Sequence, residues 1–297
     1  MTLYWVLATI IGAAGLTTRN AMQRNLTQKI GTIGATQVRF LYGLPFSVIF
    51  LGISAFITGQ SIPALNGTML GFALSGAVTQ IIATALMLLA MKERSFAMTT
   101  AYTKTEPVQV ALFSVVVLGD KIGVFAALAI LTATIGVILM AVKAGDSWTK
   151  SGLRPVAYGI VSGTFFALSA VSFRGSILSL TDTPFLLAAS TVLVTGLSIQ
   201  TAILLAYMTL FNRTALMGSL NVWRASLLAG FVGAFASQAW FIGFSLTTAA
   251  NVRTLGLVEM IFAQIITRRV LKEQTAGREW IGMALILAGV AALLAFG

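Results

Sequence analysis

Two glutamates and two cations, set in otherwise apolar sequence, are the side chains best placed to do chemistry in this chain. Glu106 and Glu259 are the only carboxylates near the middle of long apolar runs, and Lys104 and Arg253 precede them by two and six residues. A charge at the centre of a membrane costs about 2.5–3.5 kcal/mol even on the mildest scale unless it faces a partner or a cavity. Two uses follow. The four charges can be a structural ion-pair set that ties two helices together. Alternatively they can capture a zwitterion, with a carboxylate facing its ammonium and Lys104 or Arg253 facing its carboxylate. Glu106 closes the run Thr99, Thr100, Tyr102, Thr103, Lys104, Thr105, and Glu259 follows Asn251, Arg253 and Thr254. Helices with so many polar groups belong in an interior, not against lipid. Gln80, Gln238 and Trp240, also within apolar runs, add donors, acceptors and a ring to a mostly apolar pocket of the kind that holds small molecules. All eight residues (Gln80, Tyr102, Lys104, Glu106, Gln238, Trp240, Arg253 and Glu259) are expected to line one central cavity. Pro107 has no N–H for the carbonyl of Thr103 and is expected to bend its helix there, as a hinge or a packing kink. Arg39, near the start of its run, is expected to snorkel to the membrane face.

The elements that carry these residues are long apolar segments. The chain is 58% hydrophobic and 9% charged, with a mean hydropathy of +0.94, which leaves too little polar surface for a water-soluble fold but suits lipid. Segments of roughly 20 apolar residues fall at about 3–19, 34–58, 66–91, 97–118, 122–142, 153–175, 184–210, 222–246, 250–267 and 277–296, ten in all. The first has no basic residue before it and is expected to be a span, not a cleaved leader. Gly67-x-x-x-Gly71 and Gly159-x-x-x-Gly163 read as close-packing stretches. Tyr4, Trp5, Trp148, Trp223 and Trp280 lie near span ends, where rings anchor at the interface.

The segments are organised as a repeat. Glu106, Asp120 and Gly136 each precede a matching residue, Glu259, Glu273 and Gly289, by 153 positions. The expected fold is therefore an all-α membrane protein of ten transmembrane helices in two five-helix repeats, residues 1–145 and 146–297. Five spans per copy is an odd number, so the second copy enters from the opposite side. Loop charges agree: the turn at 119–121 has only Lys121, while its counterpart has Arg268, Arg269, Lys272 and Arg278; Arg24 and Lys29 stand against Arg174, and an uncharged loop stands against Arg213 and Arg224. The positive-inside rule makes that basic face cytoplasmic and both termini periplasmic.

Other function classes lack their parts. With no His and no Cys there is no imidazole relay, thiolate nucleophile or soft metal site, and no HExxH, GxSxG or phosphate-loop pattern occurs, so an enzyme is not expected and no cofactor is called for. The net charge of +11 is dispersed through short loops, which suits membrane orientation better than nucleic acid. A continuous channel fits poorly with a single mixed-charge centre. A non-transporting sensor or assembly subunit built on the same helices is the alternative to a carrier.

The order Leu89-Ala90-Met91-Lys92 with Ser95, then Glu106-Pro107, Gly119-Asp120 and Ile135-Gly136-Val137-Ile138 resembles the repeat unit of the drug/metabolite transporter superfamily, the EamA domain. The second half shows it again as Gly243 with Thr248, Glu259, Glu273 and Ala288-Gly289-Val290. Two positions depart from that pattern: Met260 stands where the repeat has a proline, and Asp120 where it has a turn glutamate. The resemblance spans nearly the whole chain, which also looks similar to an aromatic amino acid exporter of that superfamily. It implies a ten-helix inverted repeat in a bacterial inner membrane, functional as a monomer, that exports aromatic and other neutral amino acids and related metabolites by alternating access.

Overall fold

The computed structural model describes residues 2–93, 102–141, 154–262 and 277–296. Ser95, Trp148, Thr99, Thr100, Arg268, Arg269, Lys272 and Glu273 lie outside these residues. The described chain is helical, with α1 Thr2–Leu41, α2 Leu44–Thr58, α3 Gly67–Glu93, α4 Glu106–Leu118, α5 Val124–Ala141, α6 Arg154–Leu178, α7 Phe185–Phe211, α8 Arg213–Asn221, α9 Trp223–Leu246, α10 Ala249–Leu255, a 3₁₀ turn Gly256–Val258, and α11 Gly277–Phe296. Among the described residues, five helical segments are long and apolar enough to cross a membrane: Asn25–Thr58, Gly67–Lys92, Ala157–Leu178, Phe185–Phe211 and Trp223–Leu246. Glu106–Leu118, Val124–Leu139 and Trp280–Ala295 are shorter apolar helices. The chain reads as a multi-pass membrane protein.

Several boundaries differ from the hydropathy reading. The apolar runs at 3–19 and 34–58 suggest a loop near residues 20–33, yet α1 stays helical through it, kinked at Gly31 with φ +74°, a backbone region open mainly to glycine. Apolar content reports what lipid would accept. Backbone hydrogen bonding alone decides where a helix stops, and polar residues such as Gln23 and Gln28 are good helix formers. The second run is broken at Tyr42-Gly43, which places Pro45 in the first turn of α2, where its missing N–H costs nothing. The amphipathic α8 was not foreseen. It is started by Asn212, whose side chain accepts a hydrogen bond from Ala215 N at 3.1 Å. Of the two spaced glycine pairs, Gly159 and Gly163 are packed, against Tyr102 and the Thr103 carbonyl, but a methyl placed on Gly67 or Gly71 would meet nothing within 4 Å from other helices among the described residues. Trp223 and Trp280 are exposed as anchors should be, whereas Trp5 is buried.

The chain divides into two compact units, and neither is one of the sequence halves. One comprises Met1–Ile81 with Ser172–Thr247; the other comprises Ile82–Val171 with Thr248–Gly297. In the first unit α1 packs along α9, α2 against α7, and the start of α3 against the end of α6. Ser176 donates to Met69 O at 2.9 Å, and the Phe173 ring fills the notch left by Gly76 and Gly196. In the second unit α5 packs on α11 and α4 on α10, and Ser162 of α6 donates to Ala83 O of α3 at 2.8 Å. Each of these pairs joins a helix of one sequence half to a helix of the other.

The α5–α11 contact is reciprocal at residue level. A methyl placed on Gly136 would lie 2.6 Å from Gly282 O and 2.9 Å from Ile286 N. A methyl on Gly289 would lie 2.7 Å from both Ala129 O and Ala133 N. Gly289, Gly282 and Ile286 are the 153-residue counterparts of Gly136, Ala129 and Ala133, so each glycine meets the counterparts of the residues that its own counterpart meets. Such an exchange is what an isologous, twofold contact produces.

Candidate functional site

Helix periodicity rules out the shortest pairings among the four charges. Lys104 and Glu106 are two residues apart, about 200° around a helix, and residues so spaced do not face each other. Each glutamate must look for its cation elsewhere. The structure pairs them across the sequence halves: Lys104 Nζ contacts Glu259 Oε1, and Arg253 Nε lies 3.1 Å from Glu106 Oε1. The glutamate side chains are 4% exposed, those of Lys104 and Arg253 10% and 11%. Two positive and two negative charges make the quartet neutral as a whole. Charges this deep are tolerable only when matched, because removing one partner of a buried pair costs about 3–5 kcal/mol. Glu259 Oε2 is buried and has no hydrogen-bond partner among the described residues.

The backbone breaks just before each glutamate. Residues 104–105 form a turn between the helical residues 102–103 and α4, closed by Thr105 N to Tyr102 O at 3.4 Å and Thr105 Oγ1 to the same oxygen at 2.9 Å. Pro107 therefore sits in the first turn of α4, and the expected bend is an interruption. The Thr103 carbonyl, for which Pro107 cannot supply a donor, abuts Gly163 of α6. In the second half Met260 has an N–H, yet the helix still changes to a 3₁₀ turn at Gly256–Val258 before resuming at Glu259. The start of α10 is fixed by Thr248, whose hydroxyl accepts from Asn251 N at 3.2 Å. Interrupted helices whose ends point at the ligand are a recurring way to build membrane binding sites, because irregular backbone is tolerated at depth only where it lines a protein interior or a cavity.

The structure brings Tyr102, Lys104, Glu106, Arg253 and Glu259 into one compact unit and leaves Gln80, Gln238 and Trp240 in the other. There Gln238 Nε2 donates to Ser190 Oγ at 2.9 Å, Ser190 shares a 2.7 Å hydrogen bond with Ser54, and Gln80 Oε1 accepts from Gln200 Nε2 at 2.9 Å. Gln238 Oε1 is buried and has no hydrogen-bond partner among the described residues. Trp240 is buried against Gly12 of α1 and near Phe244, with ring centroids 6.2 Å apart. Phe241 joins Phe173 at 4.9 Å. Gln200, Ser190 and Ser54 were missed by sequence reasoning. Gln200 carries the signal that singled out Gln80, an amide in mid-span, and that signal applied evenly would have found it. Arg39 does not snorkel: it is buried, with its guanidinium 5.2 Å from the centroid of the Phe40 ring.

Comparison with known proteins bears on the fold and on the first half of the chain. Residues 3–142 match the model of the EamA-like transporter family. No curated protein matches the chain. Twenty-nine solved chains do. One, titled only "Crystal structure of protein", superposes with a TM-score of 0.68 at 15% identity, over 98% of this chain and 99% of its own. At that identity the likeness is one of fold. The EamA-like match points to a membrane transporter of small molecules.

Proposed function

We propose that this protein is an inner-membrane carrier that exports zwitterionic amino acids, aromatic and other neutral ones, by alternating access. The observation that carries the proposal is the buried, neutral quartet with an acceptor to spare at Glu259. A net-neutral site of low dielectric accepts a ligand whose own charges cancel, since an ion of either sign would leave one charge unmatched. A zwitterion offers an ammonium to Glu259 or Glu106 and a carboxylate to Lys104 or Arg253. Tyr102 lies just before the turn that carries Lys104, and Pro107, in the first turn of α4, is assigned as the hinge. Gln80, Gln238 and Trp240, in the other compact unit, form a separate buried set of two amides and a ring. The reciprocal contacts at Gly136 and Gly289, and the crossed ion pairs, support two inverted five-helix repeats, residues 1–145 and 146–297, with breaks before each glutamate as matched flexing points.

Counterflow in proteoliposomes tests the assignment. Labelled phenylalanine should exchange with unlabelled neutral amino acids, and poorly with the methyl ester, which lacks the carboxylate, or with phenylpropionate, which lacks the ammonium. Faster exchange of either analogue than of the zwitterion refutes the charge assignment. No exchange of any of them favours a non-transporting sensor or assembly subunit.

A further inference from the structure

One end of the first compact unit carries a basic groove that transport leaves unused. Residues 1–81 and 172–247 hold seven Lys and Arg and one acidic residue, Asp182. Asp182 precedes α7 and Arg213 follows it, so a 27-residue helix, about 40 Å at 1.5 Å per residue, keeps the carboxylate at the far end. At the near end stand Lys29, Arg213 and Arg224. Lys29 and Arg224 line a groove of about 360 Å³ together with Leu26, Asn221 and Trp223.

The groove has built walls. The Tyr42 hydroxyl donates to Ser219 O at 3.2 Å, which pins the end of α8, and Ile30 lies against Gly218 of the same helix. The Arg224 guanidinium stands 5.4 Å from the centroid of the Trp223 ring. Two cations with no acidic neighbour in the lining ask for an anion. The flanking surface says which kind: Trp223 is 51% and Leu228 55% exposed, and Met217, Leu220 and Leu227 are exposed beside them. Apolar surface of this extent, starting at an interfacial tryptophan, is covered by acyl chains, and a soluble phosphate would leave it bare.

We propose that this groove binds the headgroup of an anionic phospholipid, with Lys29 and Arg224 on its phosphate and Trp223 at headgroup depth. Basic pockets at the ends of spanning helices on the positive face hold such headgroups, each cation contributing about 1 kcal/mol. Removing both should therefore weaken binding roughly 30-fold, and removing one about fivefold. The groove thus also gives the basic end an attachment to the charged leaflet that is independent of the transport site.

The test uses the full-length protein purified in a neutral detergent, with phosphatidylglycerol and phosphatidylcholine titrated separately and occupancy read by native mass spectrometry. Phosphatidylglycerol should bind more tightly than phosphatidylcholine. Its affinity should fall by the stated factors in Lys29→Gln, Arg224→Gln and their combination, and hold in Arg213→Gln, a cation outside the groove whose Nε bonds Thr209 O at 3.0 Å. The single variants keep the test decisive if the double variant does not fold. Equal binding of the two lipids overturns the proposal, as does an equal loss in Arg213→Gln. Displacement of the lipid by millimolar glycerol phosphate also overturns it, by making the groove a soluble-phosphate site.

Discussion

The crossed ion pairs make an unusually specific energetic prediction. Glu259→Gln leaves Lys104 buried beside a neutral amide, and Glu106→Gln does the same to Arg253. With the glutamates 4% exposed, each single change should cost about 3–5 kcal/mol, the range for stranding one member of a buried pair. The combination Lys104→Met with Glu259→Gln removes both members of one contact. Its cost should fall well below the sum of the single changes, with a coupling of at least about 2 kcal/mol, because no charge is left stranded. Lys104→Met with Glu106→Gln removes neighbours in sequence that do not touch. That pair strands Glu259 and Arg253 together, and its costs should add. The measurement is reversible unfolding in mixed micelles, titrated with a denaturing detergent and followed by tryptophan fluorescence. Strong coupling between Lys104 and Glu106, or additivity between Lys104 and Glu259, would refute the crossed arrangement and the neutral quartet built on it.

Other consequences are simpler to check. Gly136→Ala and Gly289→Ala each press a methyl onto backbone atoms 2.6–2.9 Å away, and each should destabilise by about 1–3 kcal/mol, while Gly52→Ala, with no neighbour within 4 Å, should be near neutral in the same unfolding titration. Transport should persist when a protonophore collapses the pH gradient, because both buried glutamates already have cations beside them; uptake that stops, and becomes insensitive in Glu106→Gln or Glu259→Gln, would show a proton site. Trp240→Ala should slow exchange of aromatic substrates more than that of alanine; equal slowing would make the ring a packing residue against α1 only. A cysteine introduced at Ser61 should react with an impermeant maleimide on intact cells, since the residue is exposed on the loop placed opposite the basic face; protection would reverse the orientation.

What the sequence disclosed follows from which signals are local. Apolar run length and the 153-residue offset are read along the chain, and the helical class and the correspondence of Gly136 with Gly289 follow from them. Helix ends depend on hydrogen bonds and φ values that hydropathy does not see, so α1 runs through an expected loop and α8 appeared unannounced. The pairing of charges lies between. Lys104 and Arg253 were identifiable as the neutralising cations, but the choice of partner needed the geometry of two helices against each other. The least legible feature was the grouping of helices: a repeat marks units of descent in sequence, whereas the compact units mark which surfaces bury each other, and here the pairings α1–α9, α2–α7, α4–α10 and α5–α11 each cross from one sequence half to the other.

That crossing has a consequence for how the site can work. In a protein whose repeats packed as separate bundles, each glutamate would have a cation from its own half, and the halves could part without exposing charge. Here Glu106 depends on Arg253 and Glu259 on Lys104, so neither half can pair its buried charges without the other. The two cations are not counterparts in the repeat, since Lys104 corresponds to Leu257 and Arg253 to Thr100 at the 153-residue offset. Two equivalent acids are thus served by two inequivalent bases, one a compact ammonium and the other a planar guanidinium with directional donors. A zwitterion bound at the quartet would therefore meet different surroundings at its two ends, and this asymmetry would fix its orientation. Lys104→Arg should consequently disturb substrate orientation more than stability: the pair with Glu259 survives, but the ammonium is replaced by a second fork. The expected result is a changed ranking of substrates in counterflow with an unfolding midpoint close to that of the native protein, and an unchanged ranking would show that the two cations are interchangeable for binding.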